Sequence, residues 1–459
     1  MKKYIFFFIY LLPIAVCAQQ SPGKSCLSDY MWMSIGNADF TPQDVIFTSL
    51  AFSPSGIPHV AFSDIYDAHK ATVMSLSGLY WDYLGLRGFS TGGASYLSLA
   101  FSPNGEPYVA FSDWEQSDKA SVMKFNGTDW VYVGTPGFSG NIASYTSLAF
   151  NTAGEAYVAF GDKEFSWRAS VMKFDGINWV NVGYPGFSEA DVLYTCLAFD
   201  TAGVPYVAYS DNAYVQKTSV MKFNGTSWVK VGSPGFSKGA GSYLSLAISP
   251  SGKPYLSYVD EGYSSCATVM MFDGTQWVNV GPGGFSPHAT TCTSLAFSPS
   301  GEPYVAMEEF SVITIDYRAT VMKFNGTNWV NVGKSGFSPG SIDCPSLAFN
   351  PAGDPCVAYV DYGSNGKATV MTYGSVAVGV NEPATKEFSV YPNPAKEMIF
   401  IHGAEHASIS LYSATGTCIS VRHNLIGNTF SLEGVSKGVY LLKIEGVDGS
   451  VVQKKIVVE

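Results

Sequence analysis

Charge is what this 459-residue chain has least of: Asp, Glu, Lys and Arg together make up 14%. Histidine occurs only six times. No Cys-x-x-Cys pair, phosphate-binding glycine loop or Ser-His-Asp arrangement emerges, and after the first eighteen residues no run is long and apolar enough to span a membrane. Each absence excludes something. Without paired cysteines a zinc site has little support, so no metal and no cofactor is expected. The charge present is acidic, formally −11 and −13 once Lys2 and Lys3 are removed with a leader. Such a surface argues against nucleic acid, which wants a basic face, and against anionic lipid. What remains is 15% aromatic residues and 47 glycines, a composition suited to short strands and tight turns rather than helices or disorder.

The first eighteen residues read as a secretory signal peptide: Lys2 and Lys3, an apolar run from Tyr4 to Val16, then small residues before Gln19. Cleavage is expected after Ala18. Acylation of Cys17 is the rival, disfavoured by the bulk of Val16. Export permits disulfides, but the seven later cysteines are odd in number and form no framework.

The rest is dominated by a repeat. Its Ser-Leu-Ala-Phe-type core recurs at Leu50, Leu99, Leu148, Leu197, Leu246, Leu295 and Leu347, with a spacing of 49 residues five times and then 52. Periods of this size mark solenoids, propellers or arrays. Each copy holds four strand-like runs, exemplified by YTSLAF, AYVAF, ASVMKF and WVNVG in residues 145–183. Asn126-Gly127, Asp175-Gly176 and their equivalents supply the tight turn before the fourth run. Four antiparallel strands make one propeller blade. The seventh copy stops at Tyr373 without its Trp strand, and Trp32 lies 18 residues before Leu50, the offset of Trp81 from Leu99. The expected fold is therefore all-β: a seven-bladed β-propeller over 19–374 with three-plus-one closure by the N-terminal strand. The resulting chain is expected to be a monomer.

After a linker at 375–386 come Tyr391-Pro392-Asn393-Pro394, Ile409-Ser410-Leu411-Tyr412 and Lys437-Gly438-Val439-Tyr440. Residues 387–459 resemble the type A C-terminal sorting domain of the type IX secretion system. The resemblance implies a small immunoglobulin-like β-sandwich read by the secretion machinery through Tyr391, Pro392, Asn393, Pro394, Gly438 and Tyr440. It also implies a Gram-negative bacterium, passage through periplasm and outer membrane, and release or surface attachment after the domain is removed. The repeats themselves resemble tandem propeller cargo of such proteins, a type that guarantees no activity, and lack the recurring Trp-Asp signature of WD blades.

Turns after the first and third strands are nearly uniform, whereas the loop after the second varies freely. Variation on one face of a repeat scaffold suggests recognition. Tyr66, Trp114, Phe165, Trp167, Tyr214, Tyr263, Tyr317 and Tyr362 fall in these loops and suit stacking on sugars or peptide side chains. The flanking charges, such as Asp113 with Lys119 and Asp64 with Lys70, are expected to pair across the hairpin. The starts of the first strands, Phe47, Tyr96, Tyr145, Tyr194, Tyr243, Cys292 and Cys344, should set the channel mouth, with no ionisable acid or base at those positions. His59, His69 and His288 are scattered over different repeats, so the reading leans away from catalysis. A Cys26–Cys356 disulfide clasping the ring stands against two unpaired thiols, and Cys266–Cys292 is a second candidate pair. The expected function is a secreted or surface-attached propeller recognising carbohydrate or glycoprotein. A polysaccharide lyase or glycosidase and an architectural adhesin are the alternatives.

Overall fold

A computed structural model describes residues 30–375, 389–402, 407–413, 418–422, 429–445 and 451–459. The signal peptide, Cys26 and most of the linker lie outside the described residues. Two compact units result, 29–376 and one containing 377–459. Among the described residues no helix is long and apolar enough to cross a membrane.

The larger unit consists of seven four-stranded antiparallel sheets. In the second, Ala94–Phe101, Pro107–Asp113, Lys119–Phe125 and Trp130–Tyr132 follow one another from the innermost strand outward. Asn126 shapes the outer hairpin: its Oδ1 accepts from the amides of Thr128 and Asp129. Gly127 takes φ 101°, which an L residue rarely adopts. In the seventh sheet, Ile342–Phe349, Pro355–Asp361 and Lys367–Ser375 are joined by Tyr30–Ser34 as the fourth strand, with Trp32 opposite Tyr373.

A sheet with both faces apolar cannot stand alone. Second strands such as Ala156–Asp162 are buried at every residue because a neighbouring sheet covers each side. The cores accordingly lie between sheets. Val60 and Phe62 of the first sheet share one with Ala358, Val360 and Val370 of the seventh. Trp32, Leu347 and Tyr359 of the seventh share another with Ala306 and Val321 of the sixth.

Two side-chain bonds recur at these joints. The outer-strand tryptophan donates from Nε1 to a carbonyl of the preceding repeat, as Trp130 to Leu84 at 2.7 Å, Trp179 to Val133 at 2.7 Å and Trp32 to Val332 at 2.7 Å. Its indole stacks on the phenylalanine of the preceding Gly-Phe-Ser loop, with Phe89 on Trp130 at 4.2 Å and Phe337 on Trp32 at 4.1 Å. Near the axis, a serine of the first strand in six repeats accepts the leucine amide of the next repeat: Ser49 from Leu99, Ser294 from Leu347, and Ser346 from Leu50, for example. Cys196 stands at this position in the fourth repeat, with its Sγ directed to Tyr194 O and Ala208 O.

In the smaller unit, one sheet contains Ser389–Tyr391, Met398–His402 and Thr429–Ser431. The other contains Cys418–Arg422, Ser408–Ser413, Gly438–Glu445 and Val451–Val458. Both contribute to a single core that includes Ile399, Ile409, Phe430, Leu442 and Ile456. Asn393 holds the motif against the last strand, donating to Lys455 O at 2.9 Å and accepting from Val457 N at 2.9 Å. Tyr440 donates to Ser436 O at 2.7 Å.

Trp32→Ala should destabilise the larger unit by roughly 3–5 kcal/mol, the usual cost of emptying a buried tryptophan site. Tyr30→Ala, on the same strand but exposed, should stay within about 0.5 kcal/mol. Thermal unfolding of the two variants beside wild type is the measurement.

Candidate functional site

In the first five repeats, the third residue of the innermost strand takes a left-handed backbone: Phe47, Tyr96, Tyr145, Tyr194 and Tyr243 have φ of 49–58°. The pairing register skips at the same place, between Ser144 and Ser147 for example. A bulge of this kind re-aims a side chain, and here it sends the rings side by side. Successive ring centres from Phe47 to Tyr243 are 5.5, 4.8, 5.0 and 4.8 Å apart. The four tyrosines, with Thr146 and Thr195 between them, line a mouth of about 230 Å³. Burial pushes the phenols of Tyr96, Tyr145 and Tyr194 above their ordinary range, so they stay neutral and able to donate near neutral pH.

The sixth and seventh repeats complete the lining differently. Cys292 and Cys344, at the tyrosine position, are joined in a disulfide with Cα atoms 5.3 Å apart. This corrects the expected Cys266–Cys292 pairing, whereas Cys26 of the Cys26–Cys356 pairing lies outside the described residues. Cys266 is free, and so is Cys356, whose Sγ contacts Asp354 O and Thr372 Oγ1. Cys356 lies on a second strand, separated from Tyr30–Ser34 by a whole strand. The equivalence of the two bonded cysteines in neighbouring repeats was the available signal.

No acid lines the mouth itself, but two lie against the disulfide. Glu308, on the second strand of the sixth sheet, and Asp343, beside Cys344, place their carboxylate oxygens within 4.8 Å of each other and of the two sulfurs. Burial pushes Glu308 up to about 7, and the Asp343 charge adds to this. Burial raises Asp343 as well. With the sulfurs tied together, two carboxylates remain, fewer than the six or more oxygens a calcium ion takes. They can hold a proton between them or accept hydrogen bonds from a ligand. Glu308 stands where the second and fourth repeats have Ser112 and Ser210, a departure that strand-one inspection misses.

The eight loop aromatics do not form one patch. In six repeats the loop after the second strand is a short 3-10 turn. Trp114 opens its turn, donates from Nε1 to Ser95 Oγ at 2.9 Å and lies 5.1 Å from the His69 ring. Tyr66 and Tyr362 are well exposed. Phe165, Tyr214 and Tyr263 close their turns and pack on Gly186, Gly235 and Gly284 of their own repeats. Lys163 sits over Trp167, and Lys238 lies 3.8 Å from the Tyr263 ring centre. Tyr317 packs edge-on against Phe310.

The aspartates that lead into these turns do not form the expected ion pairs with their cross-strand cations. Asp113 accepts from Glu115 N, Ser121 Oγ and Tyr132 Oη. Asp361 accepts from Gly363 N, and Asp64 bonds Arg87 Nε at 2.7 Å rather than Lys70. The 3-10 turn presents amides directly to a buried carboxylate, and an N-cap satisfies both groups. The histidines stay apart: His59 is buried beside Ile57 O, whereas His288 lines a cavity in the sixth repeat.

Two outcomes follow. Non-reducing peptide mapping should recover Cys292 linked to Cys344, with Cys196, Cys266 and Cys356 unlinked. Because Glu308 rises from its ordinary 4.5 to about 7, the folded state holds that proton more firmly than the unfolded chain. Its contribution to stability is complete below about pH 4.5 and is lost as pH rises through about 7, by roughly 3 kcal/mol at most. Urea midpoints should fall between pH 5 and pH 8, and Glu308→Gln should flatten that fall.

Comparison with known proteins bears on both units. No curated protein matches the chain. A polysaccharide lyase described as an ulvan lyase shares 10% identity over 75% of this chain and 96% of its own, with a TM-score of 0.51. The extracellular domain assigned to a hybrid two-component system of B. thetaiotaomicron shares 13% over 94% of this chain and 59% of its own, also at 0.51. A lectin, SapL1, in complex with alpha methyl fucoside shares 14% over 65% and 99% at 0.42. At such identities the first two establish a propeller-like all-β fold and nothing about activity. Residues 389–459 match the secretion system C-terminal sorting domain. That match gives the protein its route, through the type IX secretion machinery to the cell surface or extracellular space of a Bacteroidetes-type Gram-negative bacterium.

Proposed function

We propose that residues 19–374 form a seven-bladed β-propeller, closed three-plus-one by the strand at Trp32, and that it binds carbohydrate or glycoprotein on its loop face. The linker at 375–386 and the immunoglobulin-like domain at 387–459 serve export, and the bound form is a monomer. Support for closure comes from the joint between the seventh and first sheets, which repeats the others: Ser346 accepts from Leu50 as Ser49 does from Leu99. The observation that carries the binding reading is the arc of five aromatic rings from Phe47 to Tyr243. Rings with neutral phenols offer both a stacking surface and hydrogen-bond donors, which is what a sugar's apolar face and hydroxyls require. Trp114, whose indole reaches Ser95 beside Tyr96, extends that surface outward.

One observation favours a polysaccharide-active enzyme instead. Glu308 and Asp343 form a close acid pair in which Glu308 holds its proton near neutrality, the state needed to protonate a leaving oxygen.

Glycan-array binding by the full chain separates these readings. Hits are expected, and Tyr145→Ala with Tyr194→Ala should weaken them roughly tenfold or more, since stacked aromatic anchors dominate such sites. Trp114→Ala should weaken them less. Hits that ignore all three changes would refute the loop-face assignment. Release of new chain ends from an array hit, abolished by Glu308→Gln, would establish the enzyme.

A further inference from the structure

The sixth repeat departs from its siblings at the loop face. There the second and third strands run on to Ser311 and Asp316, so the hairpin is longer and no 3-10 turn forms. Glu309 occupies the register position that Asp113 holds in the second repeat: Thr290 faces Glu309 as Ala94 faces Asp113. In the siblings the carboxylate is consumed by turn amides. Here no turn presents them. Glu309 Oε2 accepts from Ser335 Oγ at 3.1 Å. Oε1 has no hydrogen-bond partner, although the residue is only 4% exposed. Asp260 Oδ2 is also unpartnered, but that carboxylate already accepts two amides through Oδ1, from Gly239 and Gly262.

Glu309 lines a cavity of about 270 Å³ beneath the extended hairpin. Phe310 and Ile313 contribute apolar lining, and Lys334 and His288 line it as well. Arg318 closes one edge, its guanidinium held by Asp316, Ser338 O and Pro339 O. A buried carboxylate oxygen without a donor is costly, so a ligand that supplies one gains accordingly. The volume lies at the lower end of ligand pockets, roughly 300 Å³, which suits one small unit. Lys334 and Arg318 disfavour an ammonium group. Apolar lining together with a lone acceptor fits a ring with one apolar face and hydroxyl donors on its edge.

We infer that this cavity is a binding subsite for a single neutral or acidic sugar unit, whose hydroxyl donates to Glu309 Oε1 while its ring lies against Phe310 and Ile313. The inference deepens the carbohydrate reading above and rests on it. The subsite is distinct from the tyrosine-lined mouth.

The test uses the full chain and saturation-transfer NMR with methyl glycosides of glucose, galactose, mannose, fucose and N-acetylglucosamine, with methyl glucuronide, and with methylammonium as the cationic control. At least one glycoside should bind. Glu309→Gln should weaken it roughly tenfold, as expected for loss of a charge-assisted hydrogen bond, and Ile313→Ser by a smaller factor. Ile313 is an exposed tip residue, so that variant decides the matter if Glu309→Gln does not fold. Binding of a glycoside that ignores both changes overturns the inference, and so does Glu309-dependent binding of methylammonium alone. Array hits that depend on Tyr145 and Tyr194 but persist in Glu309→Gln, with no glycoside bound, overturn the subsite and leave the loop-face reading standing. No array hit and no bound glycoside overturns both.

Discussion

Everything in the larger unit depends on one joint, made again at each boundary between repeats. A tryptophan indole donates to a carbonyl of the preceding repeat and lies flat on that repeat's phenylalanine. The indole N–H is a lone donor on a large apolar body, so burying it requires an acceptor at a fixed place. That requirement sets the angle and spacing of neighbouring sheets more tightly than apolar contact, which is non-directional. The Gly-Phe-Ser loop exists to serve the joint. Its phenylalanine stacks, and its serine, Ser90 for example, accepts from Ala71 N and donates to Gly92 O. A scaffold locked at this joint, away from the loops that follow the second strands, leaves those loops free to differ between repeats.

That division explains what could be read from the order of residues. The period, the four strands of each repeat and the tight Asn-Gly turns are local or periodic signals, and periodic signals survive in one sequence. The place of Trp32 followed from an offset, which is periodic too. The charges at the hairpin ends misled because opposition in register is visible in sequence, whereas a turn amide is not. Asp113 meets the nearer donors, Glu115 N and Ser121 Oγ, and leaves Lys119 aside. The loop aromatics were visible as residue types. Whether each faces outward, like Tyr66, or onto its own repeat, like Phe165 over Gly186, goes with its place in the turn, Tyr66 being the middle residue and Phe165 the last.

The most informative residues are exceptions to the repeat. Cys292 and Cys344 replace tyrosines, Glu308 replaces a serine, and Glu309 replaces an aspartate in a lengthened hairpin. All four lie in the sixth and seventh repeats. Similar copies supply an internal control: a residue type shared by most copies is explained by the scaffold, and a departure needs its own explanation. Comparing aligned positions across repeats, instead of scanning for motifs, would have joined the two cysteines and exposed the acid pair without coordinates.

The arc of rings from Phe47 to Tyr243 has a statistical consequence. A short ligand that stacks on one ring and donates to the next can settle at several near-equivalent stations along the arc. Several equivalent stations on one molecule raise apparent affinity by about RT ln of their number, close to 1 kcal/mol for four or five, with no improvement in any contact. A ligand leaving one station can be recaptured at the next before it escapes. The disulfide at Cys292–Cys344 interrupts the series and gives the arc two distinguishable ends, so a chain long enough to span it lies in one direction and not the other.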